Sequence, residues 1–155
     1  MEQPKIYKSF AKNFRLVCEP SAPYFNKVKI QTSTDIANFI RGLYDIDQTI
    51  EIVESFYILL TNQACTVTGW VKLSQGGLTG TVADPQLIAK YAIEQLAKGV
   101  VIAHNHPSGT LRPSQADITL TEKVKAGLGL FGIRLLDHVI LTEDSYYSFA
   151  DEGEL

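Results

Sequence analysis

The run Gly99-Val-Val-Ile-Ala103, followed at once by His104-Asn105-His106-Pro107, constrains this chain more than any other stretch. A short apolar, β-branched run ahead of a proline reads as a buried strand. It must stop at Pro107, because proline has no amide to give a sheet ladder and Ser108-Gly109 favours a turn. Residues i and i+2 of a strand share a face, so His104 and His106 present two imidazoles to one point at the strand's end. That end is therefore the edge of a cleft. Ser114 reads as the N-cap of the following helix, which places Asp117 at N3, on the first turn and able to lean back toward the histidines. Two neutral imidazoles and one carboxylate, with a fourth position left to water, are the ligand set of a catalytic zinc site; a closed structural site wants a fourth protein ligand, and none is offered nearby.

Each part has a plainer reading on its own. Ser-x-x-Asp at a helix start is a capping box, and a single strand histidine is more often a satisfied core residue than a ligand. The combination favours the metal, since capping does not call for two same-face histidines immediately upstream. The contiguous letters His-Asn-His are not the nuclease motif of that name, whose letters are spread over a few dozen residues.

His104-Asn-His106-Pro107, six further residues and then Ser114-x-x-Asp117 resemble the JAMM motif of the JAB/MPN metalloprotease superfamily, and the longer string HNHPSG is similar to the bacterial RadC family. The resemblance runs from near Thr32 to the C-terminus, about four fifths of the chain, and includes the strings GIRLLDHVI and YYSF. It implies an α/β (α+β) three-layer sandwich, the MPN/JAB or cytidine deaminase-like fold, with a central mixed β-sheet flanked by helices. It also implies one Zn²⁺ per chain on His104, His106 and Asp117, and a zinc-dependent metallopeptidase or isopeptidase acting on a peptide or protein substrate. The family's upstream glutamate matches Glu54 in VESFYILLTN, as general base toward the water the metal activates. Glu51 competes by distance in sequence, but Phe56, Ile58 and Leu60 alternate in step with Glu54, as for a residue carried on a strand. The Ser114 hydroxyl takes the role of the family's matching serine, stabilising the tetrahedral oxyanion. Arg112 and Asn105 line the same loop as residues that touch substrate, and His138 is a core or supporting histidine rather than a fourth ligand. Where the family often has arginine after the proline of a preceding helix, this chain has Gln86.

A length of 155 residues with 45% hydrophobic content suits one domain with one core, divided as an arm over residues 1–31 and a domain over residues 32–155. A net charge of −3 argues against a binder of nucleic acid over its whole surface. Lys5, Lys8, Lys12, Arg15, Lys27 and Lys29 make the arm basic, which allows weak contact with phosphate, although a solvated arm balanced by an acidic tail is the plainer account. The alternatives to the hydrolase are thus a RadC-type accessory protein in DNA repair or DNA processing, and a non-catalytic protein-interaction module. RadC relatives usually carry a helix-hairpin-helix region ahead of the catalytic domain, and this chain is too short to hold one, which weakens the link to DNA. Cys18 and Cys65 form no disulfide framework and no Cys-x-x-Cys pair. With no apolar run long enough to span a membrane, the expected setting is the cytoplasm.

The remaining elements follow from periodicity and punctuation. Ser33 or Thr34 caps a helix through Leu43. Glu51 to Thr61 and Cys65 to Leu73 form a hairpin turned at Asn62-Gln63, and Gln75-Gly76-Gly77 with Gly80 marks a loop beside the site. Asp84-Pro85 starts a helix with Gly99 as its C′ residue and Leu87, Ile88, Tyr91, Ala92 and Leu96 as its core stripe. A helix over Gln115 to Leu128 turns Ile118, Thr121, Val124 and Leu128 inward, and strands follow at Ile133 to Leu141 and Tyr146 to Phe149.

Overall fold

The structure, a computed structural model, describes residues 28–47, 50–76 and 83–155. The basic arm ahead of Val28, Cys18, and Gly77 and Gly80 of the glycine loop lie outside the described residues. The elements are α1 (Ser33–Asp47), β1 (Ser55–Thr61), β2 (Val67–Gln75), α2 (Pro85–Glu94), β3 (Gly99–Asn105), α3 (Gln115–Gly129), β4 (Arg134–Leu141) and β5 (Tyr146–Ser148). They build one mixed sheet in the order β2-β1-β3-β4-β5, with β3 and β4 parallel and the other neighbours antiparallel. No helix among the described residues is long and apolar enough to cross a membrane.

Strand alternation divides the core into two layers. Tyr57, Leu59, Val101, Ala103, Val139 and Leu141 pack against Ile36, Ala37, Ile40, Leu43 and Tyr44 of α1. Phe56, Ile58, Leu60, Val100 and Ile102 pack against Ile88 and Ala92 of α2 and Val124 and Leu128 of α3. Helix, sheet and helix pair are the expected three layers. Because β3 is fully buried on both faces, it carries the continuous apolar run typical of a central parallel strand. Its even-numbered residues face α2 and α3 and its odd-numbered residues face α1, so the two histidines and the asparagine between them serve different layers.

Several local expectations are corrected. β1 begins at Ser55, so Glu54 stands just ahead of the strand rather than on it, and residues 51–53 form a turn and bend. Asn105 explains the late start, because its side chain takes up the backbone groups of this segment. Cys65 is not a strand residue: it adopts φ 58° in a turn organised by Asn62, whose side-chain oxygen accepts from the Ala64 and Thr66 amides. The cap of α1 is Thr32 rather than Ser33 or Thr34, since the Thr32 hydroxyl accepts from the Asp35 amide while the Asp35 carboxylate accepts from the Thr32 amide.

Asp84 and Pro85 start α2 as expected, with the Asp84 carboxylate accepting from the Gln86 amide. The helix ends earlier than expected, at Glu94, and the left-handed residue beyond its Gln95 cap is Leu96 at φ 51°, not Gly99. Leu96 is accordingly 83% exposed and Leu87 is exposed as well, so neither belongs to the core stripe. Gly99 is instead the first residue of β3. A Cβ there would lie 2.5 Å from the Thr61 hydroxyl and 2.6 Å from Leu136, so its bare backbone serves close packing.

Candidate metal centre

The apolar run of β3 delivers His104 at its buried end and His106 just past it. The His106 amide still donates to the Leu141 carbonyl of β4, and its carbonyl accepts from Gly109, which turns the chain at φ +77°. The loop then climbs to Ser114, the N-cap of α3, with the reciprocal capping box in full: Ser114 Oγ accepts from the Asp117 amide, and Asp117 Oδ2 accepts from the Ser114 amide at 2.7 Å. Ser114 Oγ also donates to Asp117 Oδ2 at 2.6 Å. Capping and chemistry therefore share one residue, because the cap saturates Oδ2 and leaves Oδ1 turned toward the histidines.

His104, His106 and Asp117 offer one ligand atom each, all within 4.8 Å of one another. His104 Nε2 lies 3.0 Å from His106 Nε2 and 3.2 Å from Asp117 Oδ1, and His106 Nε2 lies 3.8 Å from Asp117 Oδ2. His106 Nδ1 is 2.6 Å from the Thr110 carbonyl. A carbonyl only accepts, so Nδ1 carries the proton and Nε2 of the neutral ring is a bare lone pair. Lone pairs and a carboxylate this close repel one another unless something positive stands between them. The donor set of two imidazole nitrogens and one carboxylate oxygen fits a zinc ion with an open fourth position.

His104 is buried and His106 and Asp117 nearly so, with 1%, 15% and 14% of their side chains exposed. Burial pushes the Asp117 carboxyl up, but the hydrogen bond and charge that His104 supplies when its ring is protonated, with the bonds from Ser114, outweigh it and hold it well below the ordinary carboxylate value. Phe56 stacks on the His104 ring at 5.8 Å. His138, wholly buried, stacks on Phe149 at 4.8 Å and contacts the site through His104, its Nε2 lying 3.0 Å from His104 Nδ1. It stands behind His104, and burial together with that neighbouring ring pushes its pKa well below the ordinary 6.5.

Of the other sequence candidates, Glu54 is half-buried. It lies two residues ahead of Phe56, which the antiparallel register pairs with His104. Glu51 lines a cleft of about 240 Å³ with His106, Pro107, Gly109, Glu143 and others, and its hydrogen bond to Glu143 raises the Glu143 carboxyl. Asn105 is not a substrate contact. It is fully buried on the α1 side, where its Nδ2 donates to the Ile50 and Val53 carbonyls and its Oδ1 accepts from the Ser55 amide and the Tyr44 hydroxyl. Arg112 is exposed and lines a separate cavity of about 730 Å³ with Leu111, Pro113, Ile118, Tyr147 and others. Sequence reasoning placed Thr121 in the core without its chemistry: its hydroxyl lies 2.6 Å from His138 Nδ1. The signal was its position, one helical turn after Asp117.

The family model of the RadC-like JAB domain matches residues 30–154. Among curated proteins, the chain is 48% identical over 103 residues to a UPF0758 protein of Porphyromonas gingivalis, covering 66% of this chain and 45% of that protein. It is 45% identical over 100 residues to a UPF0758 protein of Flavobacterium johnsoniae, covering 64% and 44%, and 32% identical over 148 residues to one of Fusobacterium nucleatum, covering 96% and 60%. The chain thus spans about half the length of the curated relatives it matches.

Proposed function

Because the chain belongs to the RadC-like JAB domain family, we propose that its His104, His106 and Asp117 hold one zinc ion and that the domain hydrolyses an amide bond, peptide or isopeptide. The observation that supports this most is the convergence of three acceptor atoms within 4.8 Å, an arrangement that costs free energy in a folded protein unless a cation is bound there. When bound, zinc supplies a Lewis acid that polarises a carbonyl and lowers the pKa of water to about 7.

The residues around it have separate tasks. Glu54, just ahead of β1, is the general base: it takes a proton from the attacking water and hands it to the leaving amine. Ser114, on the rim of the site, already uses its hydroxyl proton toward Asp117, and a turn of that hydroxyl aims the same proton at an oxyanion. The cleft of about 240 Å³ beside His106 is small against a typical ligand pocket, which suits a single side chain or a narrow extended segment. Glu51, engaged with Glu143 on the wall of that cleft, is the rival for the base.

A panel of fluorogenic peptides and lysine-linked isopeptides, offered to zinc-loaded protein, tests the reading. Turnover of one of them, with kcat lowered by about 10²-fold or more in Glu54→Gln and little changed in Glu51→Gln, is the expected result. The same loss in Glu51→Gln and not in Glu54→Gln moves the base to Glu51. No turnover of any substrate by protein shown to hold zinc counts against the hydrolase.

A further inference from the structure

Behind His104 runs a chain of hydrogen bonds whose proton positions are fixed by simple counting. The Thr121 hydroxyl has one proton, and it donates that proton to the Asp117 carbonyl at 2.7 Å, because a carbonyl oxygen only accepts. Thr121 Oγ1 is then left as the acceptor for His138 Nδ1 at 2.6 Å, so Nδ1 carries the proton of that ring. A neutral imidazole has a single N–H. His138 Nε2 is therefore a lone pair, and His104 Nδ1, 3.0 Å away, must be the donor. That leaves His104 Nε2 as the bare nitrogen, the atom 3.2 Å from Asp117 Oδ1 and 3.0 Å from His106 Nε2.

The packing keeps the middle ring in this state. His138 is wholly buried, lies flat on Phe149 and has Phe56 at 6.1 Å, surroundings that penalise a charged ring. The relay also begins and ends on one residue: Thr121 is anchored to the backbone carbonyl of Asp117, whose carboxylate faces the far side of His104. His106 has its own version of the same device in the Thr110 carbonyl. The two ligand histidines are thus oriented by unrelated parts of the chain.

We propose that Thr121 and His138 are positioning residues that hold His104 with its proton on Nδ1, so that the Nε2 lone pair is always the atom offered to a divalent cation. This rests on the metal reading above, and it assigns Thr121 a part in metal affinity although it touches no ligand side chain other than through His138. Without the threonine hydroxyl, His138 has no acceptor at Nδ1 and is free to move its proton to Nε2. His104 Nδ1 must then accept, its own proton goes to Nε2, and the ligand atom is lost.

The test compares wild type, Thr121→Val, which keeps the shape of the side chain, and Thr121→Ser, which keeps the hydroxyl. Two quantities are measured: zinc affinity by competition with a chelator, and the ¹⁵N signals of the imidazole rings in metal-free protein above the ordinary histidine range of pH. The expected result is zinc affinity about 10–100-fold weaker in the valine variant, loss of the Nδ1 proton from His104 in that variant, and recovery of both in the serine variant. Unchanged affinity in Thr121→Val, or a His104 ring that keeps its Nδ1 proton there, overturns the proposal. Should none of the three proteins bind zinc, the metal reading fails, and the ring signals alone decide the relay: His104 protonated on Nδ1 in wild type and serine but not in valine upholds it, and any other pattern overturns it.

Discussion

The two faces of β3 carry two polar clusters built on opposite terms. On the α1 side, Asn105 spends both amide protons on the Ile50 and Val53 carbonyls, and its oxygen takes the Ser55 amide and shares the Tyr44 hydroxyl proton with the Ser55 carbonyl. Every polar atom of the Asn105 side chain there has a partner. On the other side, His104, His106 and Asp117 bring three ligand atoms together, and with His104 protonated on Nδ1 no donor stands between them. A buried cluster with matched groups specifies a conformation, whereas one with surplus acceptors is complete only with a cation. The strand thus alternates a candidate ligand, a scaffold residue and a candidate ligand, and the scaffold residue ties down the segment around Glu54.

The comparison is broken most sharply at Asn105. Asn105→Ala leaves two carbonyls and an amide without their partners in the core, and it is expected to cost on the order of 3–5 kcal/mol in urea unfolding. A cost under about 1 kcal/mol would show that the matched cluster is not a scaffold. The next largest effect belongs to His138. Its folded pKa is depressed from 6.5, so above that value its neutral state adds no penalty. As pH falls below 6.5 the unfolded chain binds a proton that the folded one refuses, and metal-free protein loses stability, by at most about 1.4 kcal/mol per pH unit for one proton. His138→Phe, which keeps the stacking on Phe149, should remove this part of the slope between its unfolded and folded pKa; an unchanged slope in thermal melts would mean that the ring is not held neutral.

Smaller effects sharpen the contrast. Removing a ligand should cost the metal but not the fold, so His106→Ala is expected to change metal-free stability by less than about 1 kcal/mol while abolishing the rise in melting temperature that zinc gives wild type. A large loss of metal-free stability would place His106 with the scaffold instead. The α1 side also has unmatched atoms, among them the buried Ser55 hydroxyl, which has no partner among the described residues. Ser55→Ala should therefore be neutral or stabilising, by up to about 1 kcal/mol, and a clear destabilisation in the same assay would reveal a bond to that hydroxyl.

The convergence of His104, His106 and Asp117 was legible because it rests on local rules: strand alternation placed His104 and His106 on one face, and the capping position of Ser114 placed Asp117 on the first turn. The order of helices and strands was legible for the same reason. What the sequence hid depends on distant partners. Asn105 lies between two ligands in the chain, yet its role is set by a segment some fifty positions earlier, and no spacing rule shows that. Gly99 looked like a helix stop because glycine commonly serves as one, but Thr61 and Leu136 required the missing side chain. The alternation of Phe56, Ile58 and Leu60 was legible and all three share one core layer, but the strand expected from Glu51 begins at Ser55, where the Asn105 side chain takes up the backbone ahead of it. Thr121 and His138 were each visible as inward-facing, but their bond joins α3 to β4 and exists only in the fold.

The measurement that bears most directly on the site is zinc stoichiometry of purified protein, wild type beside His106→Ala and Glu54→Gln, after metal is offered and excess removed. About one zinc per wild-type chain, lost in the histidine variant and kept in the glutamate variant, is the result expected if His104, His106 and Asp117 are the ligands and Glu54 is not. Wild-type protein that remains metal-free, or a histidine variant that binds zinc as well as wild type, would contradict it.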